Sequence, residues 1–489
     1  MPRLRRPLPL SLALGALALS VFGPSSAVAA QAHTAAASDS ALISPCDIGA
    51  GPRFRCGRIT VPAVRGEPSL GEQSIFFAVR PRDQAKKPPL GTIFAVEGGP
   101  GYASTGYDSA KSYRAVFRPL LRRRDLVLID QRGTGHSQAV NCPQLQRGMV
   151  PEVIATASCA NQLGGRYQGF TSAESAADIE AVRNALGVGP ITLYGDSYGT
   201  LLAQAYSIRY PASLRSMVLS SAYPADDPFW RTIYTWAMRA VKLSCARNSA
   251  CRARAASLCG SKEMRCGWNA EQRFKHALSR IQRTGGPLNG TIAYLLEAGT
   301  WAPNSYLALN RAVIEYLADE PDRLERIARE GRPGDGDFHY FSTGMGTAVE
   351  CNDYPVAWDR STPDFDQRTA QLDQSVAAFP KRRLFAPLTV AQWMTLPSIG
   401  FTGCLAWPAP TARMQPPVPR GATQPANVPV LVLSGEFDDI TTVSEARKVA
   451  RQYPSGWVRI VPSRGHASDL YYPYRSPAVP WIRRFVASH

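Results

Sequence analysis

The stretch Ile191-Thr192-Leu193-Tyr194-Gly195-Asp196-Ser197-Tyr198-Gly199-Thr200 passes from an apolar run into Gly-x-Ser-x-Gly, and Leu201 to Tyr206 continue as a helix. Strand, sharp turn and helix in that order give a Gly-x-Ser-x-Gly motif its meaning. The turn places Ser197 at its tip, in a strained backbone conformation. Gly195 and Gly199 are required because a Cβ at either position collides with the neighbouring strand or helix. The turn also aims the start of the helix, with its unpaired N–H groups, at the place where negative charge develops.

Working outward, residues 58–64 and 74–80 read as two strands joined through Gly66-Glu67-Pro68, and residues 91–96 as a third, buried strand. This strand runs into Glu97-Gly98-Gly99-Pro100-Gly101, a loop whose exposed backbone N–H groups admit close approach of a ligand. A basic helix is expected at 112–124 and a strand at 125–129, ending in Asp130-Gln131-Arg132-Gly133-Thr134-Gly135-His136-Ser137. That glycine-rich loop lacks the lysine arrangement of a phosphate-binding loop, and His136 reads as scaffold. Thr171-Ser172-Ala173-Glu174 is a capping box that opens a helix to about Leu186. A further strand is expected at 214–220. Strand and helix alternate from 91 to 222, the pattern of a parallel sheet with helices on both faces.

Beyond residue 225 the alternation stops. Residues 226–427 read as helices and loops and hold six of the ten cysteines. Strand signals resume at 430–434 and 457–461, with helices at 443–452 and 480–488. The expected fold class is α/β: an α/β-hydrolase fold with a mostly parallel sheet and an inserted, mainly helical lid. Its core is residues 46–225 and 428–489, with the lid at 226–427.

The chain order Ser197, an acid beyond the strand at 430–434, then His466 beyond the last strand is that of an α/β-hydrolase triad. Asp438 and Asp439 compete for the acid position; Asp438 is preferred as the first acid of a Gly-x-x-Asp turn, and Glu436 is weaker. Asp196 adjoins the serine but points elsewhere in the turn and receives no catalytic role. The Gly99 and Tyr198 N–H groups are expected to form the oxyanion hole. This chemistry needs no metal and no organic cofactor.

Composition places the chain outside the cytoplasm. Arg3, Arg5 and Arg6, an apolar stretch over 8–22 and Ala27-Val28-Ala29-Ala30 form a secretory signal peptide, residues 1–30. Residues 31–45 read as a flexible segment. No later stretch is long and apolar enough to span a bilayer. An even number of cysteines agrees with an oxidising compartment. Cys46–Cys56 and Cys142–Cys159 are near-neighbour pairs and Cys351–Cys404 a longer one. Cys245, Cys251, Cys259 and Cys266 make two local bridges in any of three pairings. A zinc site there is disfavoured, since the cluster has no CxxC pair and no histidine. The net charge of +17 is read as a solvated arginine-rich surface. No basic run is interleaved with aromatics, which argues against nucleic-acid binding.

Taken together, Gly98-Gly99-Pro100-Gly101, Asp130 to Ser137 and Gly195-Asp196-Ser197-Tyr198-Gly199 resemble the proline iminopeptidase family of serine peptidases, and within it the secreted tripeptidyl aminopeptidases of actinobacteria. The resemblance implies an exopeptidase acting on peptides with a free N-terminus and releasing short peptides or single residues. The chain departs from the family at Val96-Glu97, where histidine or Asn-Pro usually precedes the glycine loop. An aminopeptidase must hold an α-ammonium group, which calls for carboxylates in a partly desolvated pocket. Glu350 and Asp353, in Glu350-Cys351-Asn352-Asp353, are the candidates, with Glu97 a further anionic group. A carboxylesterase or lipase using the same triad is the alternative, and would need an apolar acyl pocket and no ammonium anchor.

Overall fold

A computed structural model of the chain describes residues 42–148, 150–228, 231–285, 288, 305–330 and 336–489. The expected signal peptide and most of the expected flexible segment lie outside these residues. Nine strands form one sheet: β1 (Ile43–Pro45), β2 (Arg55–Pro62), β3 (Glu72–Arg80), β4 (Thr92–Val96), β5 (Asp125–Ile129), β6 (Ile191–Asp196), β7 (Leu214–Ser220), β8 (Val430–Gly435) and β9 (Gly456–Val461). Their order is β1-β2-β3-β5-β4-β6-β7-β8-β9. The β1–β2, β2–β3 and β3–β5 pairs are antiparallel. Every pair from β5 through β9 is parallel.

The central strands are buried on both faces, so their sequences are continuous apolar runs rather than alternating ones. The two-residue period is visible in what each side chain meets. Phe94, Val96, Leu193, Leu219 and Val432 pack on one face, with the helices Ser172–Ala185 and Tyr198–Arg209. Ile93, Ala95, Tyr194, Val218 and Leu433 pack on the other, against Tyr107–Phe117 and Ala478–Ser488.

Several boundaries differ from expectation for physical reasons. The helix expected at 112–124 runs instead from Tyr107 to Phe117, because Pro119 has no N–H to continue it; Leu120–Arg122 is a separate 3₁₀ turn. The Thr171 capping box is half-formed. Thr171 Oγ1 accepts from Glu174 N, but the Glu174 carboxylate turns away to pair with Arg65. The end of the segment expected to be flexible is an edge strand, β1, joined to β2 by the Cys46–Cys56 disulfide.

Between β7 and β8 the described residues form helices, including Ile233–Ala246, Ala270–Thr284, Ser305–Leu317 and Thr343–Asp353, and no strand. This segment meets the sheet's loops directly. Tyr102 forms an antiparallel bridge with Phe341, and Ser342 N donates to Gly101 O at 3.0 Å. Five disulfides are formed: Cys46–Cys56, Cys142–Cys159, Cys245–Cys251, Cys259–Cys266 and Cys351–Cys404. The four clustered cysteines therefore pair in sequence order. Among the described residues no helix is long and apolar enough to cross a membrane.

Candidate active site

Ser197 sits where β6 ends and the helix Tyr198–Arg209 begins, at φ 52° and ψ −122°. A non-glycine residue at positive φ is strained and is held there only by its surroundings. Those surroundings are specific. Ser197 N donates to Ser220 O at 2.9 Å, tying the turn to β7. A Cβ on Gly195 would lie 2.2 Å from Gly199 O, and one on Gly199 2.5 Å from Val96 O. No side chain fits at either position. A Cβ on Gly98 would lie 2.6 Å from Ser197 Cβ, so the loop after β4 packs directly on the serine. Ser197 is half-buried, at the positive end of its helix.

Asp438 follows β8 and His466 follows β9, two strands placed in order beyond β7. Parallel strands bring all these C-terminal ends to one edge of the sheet, where sites form in open α/β folds. His466 Nδ1 lies 3.1 Å from each Asp438 carboxylate oxygen. Both side chains are almost fully buried. Asp438 also accepts from Ser221 Oγ at 2.7 Å, Thr441 N at 2.9 Å and Thr441 Oγ1 at 2.8 Å. Four donors around one buried carboxylate hold it in a fixed orientation. Ser221 in turn accepts from Ala467 N at 2.8 Å, so one hydroxyl links the acid to the histidine loop. Sequence reasoning missed Ser221 and Thr441. Glu436 is turned away, with Arg247 nitrogens at 2.8 and 2.9 Å from its oxygens.

The loop after β4 presents Gly99 on the exposed side, at φ 109°, with a cis bond to Pro100. Its backbone is braced from below. Glu97 N donates to Ser104 Oγ, and Gln131 Nε2 donates to Glu97 O at 2.7 Å. Asp130 accepts from Thr105 N, Thr105 Oγ1 and His136 N. Arg132, 1% exposed, clamps Asp178 with two nitrogens and donates to Ala63 O and Gly169 O. The Asp130–Ser137 motif thus supports the glycine loop, and the His136 ring packs on Phe76.

A family model for the alpha/beta hydrolase fold matches residues 91–468, well over half of the chain. The chain belongs to the α/β hydrolase fold family. Serine protease Hip1 of Mycobacterium tuberculosis is 24% identical over 438 residues, covering 81% of this chain and 78% of the relative. The tripeptidyl aminopeptidase of Streptomyces coelicolor is 28% identical over 201 residues, 36% of this chain and 37% of the relative. A proline iminopeptidase of Neisseria meningitidis is 28% identical over 131 residues, 27% of this chain and 32% of the relative. These similarities support a hydrolase of the serine peptidase kind. The five disulfides fit a protein of an oxidising compartment.

The expected ammonium ligands separate within this hydrolase. Asp353 is 4% exposed and accepts from both Ser172 N and Ser172 Oγ at 2.6 Å, which fastens the start of the helix Ser172–Ala185. Burial pushes its carboxyl up to about 6. Its Oδ2 is engaged by Ser172. Glu97, 3% exposed, accepts from Tyr113 OH at 3.0 Å, and the same hydroxyl lies 2.7 Å from Asp196 Oδ1. Burial raises both carboxyls, and the Glu97 charge raises Asp196 further. Glu97 is thus buried and engaged by Tyr113 beside the glycine loop. Glu350 lies on the same helix as Asp353 but is half-exposed. Burial, first, and the Glu350 charge also raise Tyr223 and Tyr354, whose hydroxyls are 2.6 Å apart.

Proposed function

We propose that the protein is a secreted serine aminopeptidase that removes short peptides, in the manner of tripeptidyl aminopeptidases, or single residues from free N-termini. The observation that carries the reading is the buried Asp438–His466 pair, held at 3.1 Å on the sheet edge where the strained Ser197 turn ends β6. His466 takes the Ser197 proton, and Oγ attacks the carbonyl carbon. The Gly99 and Tyr198 N–H groups hold the oxyanion, each contributing about 3 kcal/mol to the barrier reduction. The imidazolium, steadied by Asp438, passes its proton to the leaving amine, and water then resolves the acyl-enzyme. The helical segment at 226–427 acts as a lid, and its Glu350 meets the substrate ammonium. The N-terminal segment directs export.

Hydrolysis of p-nitroanilides of one, two and three residues, each free and N-acetylated, tests this with the mature protein and its Ser197→Ala variant. Cleavage of free substrates alone, lost in the variant, is expected and gives the step length. Hydrolysis of p-nitrophenyl esters through Ser197 with no amide cleavage would replace the peptidase by a carboxylesterase.

A further inference from the structure

A cleft of about 850 Å³ lies beside the site, and neither Ser197 nor His466 lines it. It lies between the helix Tyr107–Phe117 and the segment Leu470–Arg475, with Glu97 and Tyr102 at its base. Its size is that of a ligand site. Its two ends are informative. Glu97 and Tyr102 flank the glycine loop, and Leu470 follows His466 by four residues. The cleft's lining thus adjoins in sequence both the glycine loop and the histidine loop.

That position has a direction in the chemistry. The leaving amine receives its proton from the histidine, so the departing chain lies on the histidine side of the cleaved bond. The wall formed by Leu470–Arg475 is the continuation of that side.

The lining is also distinctive. Lys111, Arg114, Arg118 and Arg475 face the cleft, against Asp108 as the one exposed carboxylate among its described lining residues. Lys111 lies over the Tyr107 ring and Arg114 donates to Ala50 O, so these two are anchored. Arg118 and Arg475 are exposed. Positive charge continues outward: Arg118 also borders a second depression with Arg122 and Arg483. The Asp83 carboxylate there is already engaged by Arg53 and Arg80. Glu97 is set back from these exposed cations, 3% exposed and bonded to Tyr113 OH. Tyrosines complete the surface. Among the described residues four tyrosines are strongly exposed, and three of them, Tyr340 at 47%, Tyr471 at 40% and Tyr474 at 82%, line this cleft. Exposed rings gathered at one place mark a binding surface, and tyrosine supplies contact area at low entropic cost.

We propose that this cleft holds the part of a polypeptide substrate that lies C-terminal to the cleaved bond, and that it favours acidic residues there. The proposal rests on the peptidase reading given above. Electrostatic complementarity then sets which polypeptides are processed, while the lid sets which N-termini are admitted.

The test uses the mature enzyme and three substrates that share one N-terminal tripeptide: a p-nitroanilide, a decapeptide with acidic residues at the first three leaving positions, and its lysine counterpart. The Arg118→Glu/Arg475→Glu double variant is compared with wild type, and Tm is recorded for both. Wild type is expected to prefer the acidic peptide in kcat/KM by about 10-fold or more at low salt. In the double variant that preference should vanish or reverse, with p-nitroanilide hydrolysis and Tm unchanged. A wild-type preference near unity, or one that survives charge reversal, overturns the cleft assignment while leaving the peptidase intact. Failure of wild type to hydrolyse even the p-nitroanilide overturns the peptidase reading, and this proposal with it.

Discussion

Ser221 Oγ donates to Asp438 Oδ2 at 2.7 Å from a backbone held at φ 58°. The hydroxyl comes from the end of β7, yet it fixes an acid beyond β8 and, through Ala467 N, the loop beyond β9. Ser221→Gly keeps the backbone conformation and deletes the hydroxyl. A buried partner left unsatisfied costs about 1–3 kcal/mol. kcat/KM on a tripeptidyl p-nitroanilide should fall by about 10- to 100-fold, with KM nearly constant. An unchanged kcat/KM would show that Asp438 is held without it.

Ser197→Ala, His466→Ala and the double variant should all lose roughly 10⁴-fold or more in kcat, the double being no worse than either single, because the groups act as a unit. Asp438→Asn should cost about 10⁴-fold by favouring the wrong imidazole tautomer. Asp439→Asn is the control. Equal losses in the two aspartate variants would remove the assignment of Asp438.

Glu350 and Asp353 lie one helical turn apart but should respond oppositely. Glu350→Gln is expected to raise KM for free N-terminal substrates by about 10-fold or more, with p-nitrophenyl ester hydrolysis unchanged, since one ion pair in a partly desolvated site is lost. Asp353→Asn should leave KM alone and lower stability by about 1–3 kcal/mol through its contacts with Ser172. Urea denaturation and steady-state kinetics on both variants separate the roles; a KM effect confined to Asp353→Asn would reverse them.

Glu445 supplies a pH signature. Burial lifts its carboxyl to about 7, although Thr442 N and Thr232 Oγ1 both donate to it. The folded protein then holds a proton that the unfolded chain releases near pH 4.5. The associated stability is present below that value and is lost as pH rises to about 7, after which it levels off. Glu445→Gln removes the charge and should gain on the order of 2 kcal/mol at pH 8 relative to pH 5, compared with wild type. Parallel stability curves for the two proteins at both pH values would refute the assignment.

Much of the architecture was legible because single residues leave few choices. Gly195 and Gly199 permit only the close approach seen to Gly199 O and Val96 O. The all-apolar β4 and β6 require cover on both faces, and they have it. The turn after β8 ranked Asp438 above its neighbour, and it is Asp438 whose oxygens meet His466. Other features had no local signal. Ser221 and Thr441 are small polar residues at strand ends, and their partners appear only once β7, β8 and β9 are in register. Burial was equally hidden for Glu97 and Asp353. An acidic residue beside a motif looks available until a tyrosine from another helix, or the start of a distant one, is found bonded to it. The basic run Arg122-Arg123-Arg124 lies beyond Pro119, outside the Tyr107–Phe117 helix.

The five disulfides divide cleanly. Two close loops before β7, and three close loops between β7 and β8; none joins one region to the other. Each region carries its own redox-sealed framework, and only the chain itself, leaving β7 and returning to β8, couples them covalently. Substitutions or insertions within the helical segment need not re-pair any cysteine of the region that carries the nucleophile.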